Sequence, residues 1–196
     1  VDGSAKLMEL VQRAKELDMN SLAITDHGAM YGAIEFYKAA KEVGVKPIIG
    51  CEVYVAPKSR LIKDNSQGFS YYHLVLLAEN ETGYANLVKI VSYGFLDGFY
   101  YKPRVDREIL EKYHEGIIAS SACLAGPVAR TILQGSYEEA KTIALQYEEI
   151  FGKGNFFLEL QDHGMVEQKK VNQALLKIHE ETGIPLIATN DSHYIY

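Results

Sequence analysis

Near both ends of the chain an acidic residue and a histidine follow directly on a short apolar run. Asp26 and His27 close "SLAITDHG", and Asp191 and His193 lie in "PLIATNDSHY". Glu52 follows "PIIGC", Cys123 follows "IIASSA" and His163 comes shortly after "FFLELQ", whereas His73 stands at the start of "HLVLLA". Imidazole, carboxylate and thiolate together make a mixed N/O/S donor set of the kind that suits Zn2+ or Mn2+. Asp191 and His193 are two apart, so on extended chain they point to one side and both can ligate. Asp26 and His27 are adjacent and point to opposite sides. His27 is therefore expected as the ligand, with Asp26 holding its neighbourhood and Gly28 letting the chain turn tightly away. Plainer readings stay open for each residue. A strand-end Asp often caps a turn, a lone His before a strand is often structural, and a Cys is often a small buried hydrophobe. Cys51, beside Glu52, is expected to face the other way and to be buried. Glu159, between Leu158 and Leu160, either points into the fold or is paired.

The elements that must position these groups alternate along the chain. Helical spacing of Leu7, Leu10, Val11, Ala14 and Leu17 predicts a helix over 4–17 with Ser4 as N-cap. Strands are expected at 21–25, 46–56, 71–78, 116–122, 155–161 and 185–191. Helices are expected at 31–43 (capped by Gly44), 82–93, 136–151 and about 165–182. A loop rich in aromatics and glycine runs through "YGFLDGFYYKPRVD". This rhythm predicts a parallel sheet with helical crossovers, in which a barrel suits the number of units better than an open sheet. In such folds the C-terminal strand ends form the ligand face, which is where most of the residues above fall.

The 196 residues suit a single domain over 1–196. At 47% apolar and 23% charged the composition is that of an ordinary globular protein. No apolar run approaches the roughly 20 residues that span a bilayer, so no membrane partner is expected. Two cysteines are too few for a disulfide framework, which points to a reducing, cytoplasmic setting. A net charge of −6 argues against a strong DNA clamp, because nonspecific affinity comes mainly from phosphate neutralisation.

Several separate stretches resemble one family in the right order. "AITDHGAMYGAIEFYKAAKEVGVKPIIGCEVYVAP", "YHLVLLAENETGYANLVKIVS", "GFYYKPRVD", "SSACLAG" and "PLIATNDSHY" are similar to the PHP (polymerase and histidinol phosphatase) domain of bacterial DNA polymerase III alpha subunits of the DnaE type. The resemblance implies an α/β fold, a distorted (β/α)7 barrel with metal ions at its rim. It implies metal ligands at Asp2, His27, Glu52, His73, Cys123, Asp191 and His193, holding two to three divalent ions, Zn or Mn, with Mg also admissible. Asp26, His27, Glu52, Asp191 and His193 are the residues expected to carry catalysis. The family's first strand bears a His-x-His motif upstream of "DG", and the chain starts at Val1, so the barrel is expected to be truncated at its N-terminal strand and at its C-terminus.

The activity so implied is a metal-dependent phosphoesterase, a 3′–5′ exonuclease in the intact polymerase. The partners are a DNA primer 3′ end, the rest of the alpha chain and a replisome proofreading subunit. Tyr100 and Tyr101 could stack on bases while Lys102 and Arg104 meet phosphates, although aromatic packing of a surface loop explains the same residues. Two other functions compete: a non-catalytic scaffold that docks a proofreading subunit, and a stand-alone phosphatase of the histidinol phosphatase kind.

Overall fold

Helix α1 (Leu7–Glu16) opens the part of the chain that the structure, a computed structural model, describes, residues 6–196. The expected cap Ser4 and the expected ligand Asp2 both lie outside the described residues. Val11 of α1 is buried with Phe36, Ala39 and Ala40 of α2 (Ala33–Val43) and Ile24 of β1 (Ser21–Ile24), a small core of its own. Gly44 ends α2 at φ 79, the left-handed cap that its sequence position predicts.

Strand β1 pairs in parallel with β2 (Lys46–Val55), and β2 pairs antiparallel with β3 (Tyr72–Ala78). β3 is antiparallel to β5 (Ile117–Ser120) as well, after which β6 (Phe156–Leu160) and β7 (Leu186–Ala188) follow in parallel. The two-residue β4 (Arg104–Val105) pairs with the end of β2, off the main path. The sheet order is β1-β2-β3-β5-β6-β7, and the sheet curls until the His27 ring, just past β1, stands 6.3 Å from the His193 ring, just past β7. The result is an α/β half-barrel.

The expectation of an all-parallel sheet is corrected at β3. A parallel return needs a crossover, which is usually a helix. The segment 56–71 between β2 and β3 contains none, so the chain comes back antiparallel. The consequence is functional: the start of β3 lies at the same rim as the ends of its neighbours, and His73 joins them there.

Outside the sheet pack α3 (Glu81–Leu96), α6 (Tyr137–Phe151) and α7 (Val166–Thr182). Two short helices, α4 (Arg107–Lys112) and α5 (Pro127–Leu133), are too brief for periodicity to announce. Along β2 and β3 the residues Cys51, Val53, Val55, Leu74 and Leu76 alternate toward the main core, which includes Leu87 and Ile90 of α3. Each large apolar side chain so buried stabilises the fold by roughly 1.5–3 kcal/mol. The intervening Glu52, Tyr54 and His73 line the inner face.

Candidate metal centre

The β1–β2 ladder does not stop at Ile24. The Glu52 N–H donates to the Asp26 carbonyl at 3.0 Å, and the Gly28 N–H donates to the Glu52 carbonyl at 2.9 Å. This isolated bridge sets His27 beside Glu52, with Nε2 2.9 Å from Oε2. Across the other edge of β2, His73 Nδ1 lies 3.1 Å from Oε1. The carboxylate is thus held between two imidazoles and is 4% exposed. Burial pushes its pKa up, but the hydrogen bonds and charges of His27 and His73 more than offset that and hold it at about 2.

Cys123 completes the cluster. Its Sγ is 3.8 Å from Glu52 Oε1 and 3.6 Å from His73 Nδ1. Burial is the main cause that raises the thiol to about 11, with Glu52 and Asp191 adding to it. Donor atoms about 2.1 Å from a tetrahedral zinc stand about 3.4 Å from one another. The separations here bracket that value, and two imidazoles, a carboxylate and a thiol are zinc-type donors. Among the described residues His27, Glu52 and His73 form the group that could hold a metal ion, and Cys123 adjoins it.

Asp191 and His193 come near but stand apart from that triplet. Partial burial, then the Glu52 charge, raises the Asp191 carboxyl above the ordinary range. His193 Nδ1 bonds to the Asp191 carbonyl at 2.8 Å. Four non-glycine residues of the described chain have left-handed backbones, and three flank this rim: Ala122 (φ 61) before Cys123, Asp191 itself (φ 49) and Tyr101 (φ 59). Strain of this kind collects at functional sites. Asp26 contributes its carbonyl to the ladder, and its charge, with that of Glu52, adds to the burial that raises the thiol of Cys51.

The sequence reading missed an aromatic wall. The Tyr54 ring lies 5.4 Å from His73 and 6.2 Å from His27, and Tyr71 stacks on His73 at 5.8 Å. The signal was present, since Tyr54 is two residues from Glu52 on β2 and Tyr71, directly before β3, is two from His73, the spacing that repeats one face of extended chain.

The loop 98–104 divides. Lys102 is exposed and holds its Nζ 5.5 Å from the Tyr54 ring, at the mouth of the site. Tyr101 is 73% exposed, while Tyr100 lies against the Arg104 guanidinium, 5.1 Å from its centre. The expectation that Arg104 meets phosphates is corrected. Arg104 is 1% exposed, and its guanidinium donates to the carbonyls of Gly98, Ser70, Arg60 and Ile62. Every N–H-bearing nitrogen is committed to tying loops together.

On the β6–β7 side, Glu159 is buried and accepts from Ser120, Thr189 and Gln161. His163 sits outside the donor cluster and reaches the Asn190 carbonyl.

Comparison with known proteins gives the family and the fold. The sequence profile of the PHP domain family matches residues 1–163. DNA polymerase III subunit alpha of Borreliella burgdorferi is 49% identical over 196 residues, covering 100% of this chain and 17% of that protein. The Thermus aquaticus protein of the same name is 47% identical over 199 residues, covering 100% and 16%. The chain therefore spans about one sixth of the length of these curated relatives. Among solved structures, a proposed metal-dependent phosphoesterase from Bifidobacterium adolescentis superposes with a TM-score of 0.60 at 15% identity, over 98% of this chain and 84% of that one. An amidohydrolase from Chromobacterium violaceum gives 0.61 at 16%, over 98% and 84%. At that identity the likeness is one of fold.

Proposed function

The chain belongs to the PHP domain family, and we propose that its Glu52-centred cluster is the metal centre of a phosphoesterase, serving a bacterial DNA polymerase III alpha subunit as a 3′–5′ exonuclease on primer ends. One observation carries this reading: a buried carboxylate gripped by two imidazoles, with a thiol at ligand spacing. The identity with named alpha subunits supports a setting in the bacterial cytoplasm, with the rest of an alpha chain as partner.

His27, Glu52, His73 and Cys123 would hold one ion, and Asp191, His193 and Asp2 would extend the set to two or three, zinc or manganese. Such ions supply Lewis acidity, which acidifies a water and offsets phosphate charge. The protein does the rest. Before an ion binds, Glu52 presents one oxygen to each imidazole, which keeps the three donors together. Tyr54 and Tyr71 wall the cluster and limit water on one side. Lys102, projecting over Tyr54, meets a phosphate of the entering strand, and Tyr101 offers an exposed ring to a base.

The decisive experiment is elemental analysis of the full-length protein purified without chelator, paired with exonuclease assays on a mismatched primer. Two to three zinc or manganese ions per chain are expected, and His27→Ala or Asp191→Ala should abolish hydrolysis while polymerisation continues. Full exonuclease activity in either variant would overturn the ligand set.

A second reading, a scaffold that docks a separate proofreading subunit, is favoured by one feature. Arg104 is spent on carbonyls, which leaves Lys102 as the cation of the loop motif at the mouth of an acidic domain. A metal-free full-length protein would give that reading the lead.

A further inference from the structure

β7 has three residues and ends the sheet path, paired on its described side to β6. Its ladder finishes where the Thr189 N–H donates to the Leu160 carbonyl at 3.1 Å. Beyond that point residues 190–193 belong to no helix or strand, yet they carry Asp191 and His193. Side chains from β6 and the turn after it grip this segment at two successive residues. The first grip is the Glu159 carboxylate. It is 7% exposed, accepts from the Thr189 hydroxyl, and is itself fixed by Ser120 and by Gln161 Nε2 at 2.9 Å. The second is His163, whose Nε2 stands 2.8 Å from the Asn190 carbonyl.

The polarity of the second grip can be deduced. The His163 backbone N–H can only donate, and it meets Gln168 Oε1 at 2.7 Å. Gln168 is 4% exposed, and this contact orients its amide so that Nε2 faces His163 Nδ1, 3.1 Å away. An amide NH2 donates, so Nδ1 accepts and the ring proton resides on Nε2. His163 therefore donates to Asn190, one residue before Asp191. A ring so engaged on both nitrogens is no metal ligand, which explains why a histidine at the rim stands outside the donor cluster.

We propose that His163 is a positioning residue: with Glu159 it clamps Thr189 and Asn190, and so delivers Asp191 and His193 to the metal centre. The inference rests on the metal-centre reading. Outer partners that orient metal ligands typically cost about 10–100-fold in affinity when removed.

The test is isothermal titration of Zn2+ into the metal-free full-length chain, with the melting temperature of each metal-free variant as a check on folding. His163→Ala should weaken zinc binding by about tenfold. His163→Gln, whose amide NH2 can still donate to Asn190, should restore most of it. A role in folding alone would instead lower the melting temperature and leave zinc affinity unmoved. If His163→Ala loses its fold, Thr189→Val, which removes the hydroxyl that Glu159 holds, carries the same expectation. His27→Ala separates the two claims. Zinc lost in His27→Ala but held at full affinity in His163→Ala and Thr189→Val would overturn the clamp and spare the metal centre. No zinc uptake by the unaltered protein would overturn both.

Discussion

His73 and Glu52 meet diagonally across an antiparallel pair. Glu52 stands opposite Val75 and His73 opposite Tyr54, so the two side chains share the inner face, and Nδ1 reaches Oε1 at 3.1 Å. Diagonal neighbours of this kind lie within reach of long and aromatic side chains. Had β3 run parallel, as the rest of the pattern suggests, His73 would stand at the opposite end of the sheet from the cluster.

Glu52→Gln keeps the shape of the side chain, but its amide nitrogen neither ligates nor accepts from an imidazole. Zinc affinity of the full-length chain, measured by isothermal titration, is expected to fall by more than the roughly 10–100-fold that an outer partner costs. Unchanged affinity would remove Glu52 from the ligand set.

Gly28 carries φ +68, and a Cβ there would lie 2.6 Å from Tyr54 Cε2. Gly28→Ala therefore meets a left-handed penalty of about 1–2 kcal/mol as well as a clash. The expected outcome is a lower melting temperature together with weaker metal binding, because the Tyr54 ring that must shift lies against both His27 and His73.

Lys102 and Arg104 should separate cleanly in DNA binding. Lys102→Gln is expected to weaken binding of a primer end and to reduce the slope of log K against log salt by about 1. Arg104→Gln should leave four carbonyls without their partner, so its effect should appear in thermal unfolding. Equal salt slopes for Lys102→Gln and the unaltered protein would remove Lys102 from the DNA contact.

The two thiols should differ in metal-free protein. Cys51 is fully buried, and burial with the nearby Asp26 and Glu52 charges raises it to about 12, whereas Cys123 lies at about 11 and is only half-buried. The thiolate is the reactive form, so labelling of Cys123 by iodoacetamide should rise about tenfold per pH unit below that value. Cys51 should remain unlabelled until the chain unfolds. Zinc should protect Cys123, and labelling indifferent to zinc would take the thiol out of the site.

Arg60 joins Asp97 and Asp106, at 2.9 and 3.2 Å, and both Arg60 and Asp106 are buried. Removing one partner of a buried pair leaves the other uncompensated, at a cost of about 3–5 kcal/mol. Asp106→Ala also removes the cap of α4, where its carboxylate accepts from the Ile109 N–H, and denaturant titration should register the larger loss there. Equal stability of Asp106→Ala and the unaltered chain would contradict this.

Much was legible along the chain because it depends on local periods and on residue types. The strand end near Ile24, the Gly44 cap and the burial of Cys51 follow from spacing and side-chain chemistry, whereas the strand expected through Asp191 stops at Ala188, and Asp191 itself (φ 49) is not extended. Motif resemblance carried the family and the expected donors. What only the tertiary structure decided depends on contacts between residues far apart in sequence. The reversed direction of β3, which brings His73 to Glu52, is one such result. Another is the burial of Arg104, whose charge reads locally like that of Lys102 but whose guanidinium is surrounded by carbonyls from three separate stretches. The third is the hold of Glu159 and His163 on Thr189 and Asn190, which joins residues about thirty positions apart. A sequence period specifies which way a side chain points from its own strand, but what it meets there is set by the strand that folding lays alongside.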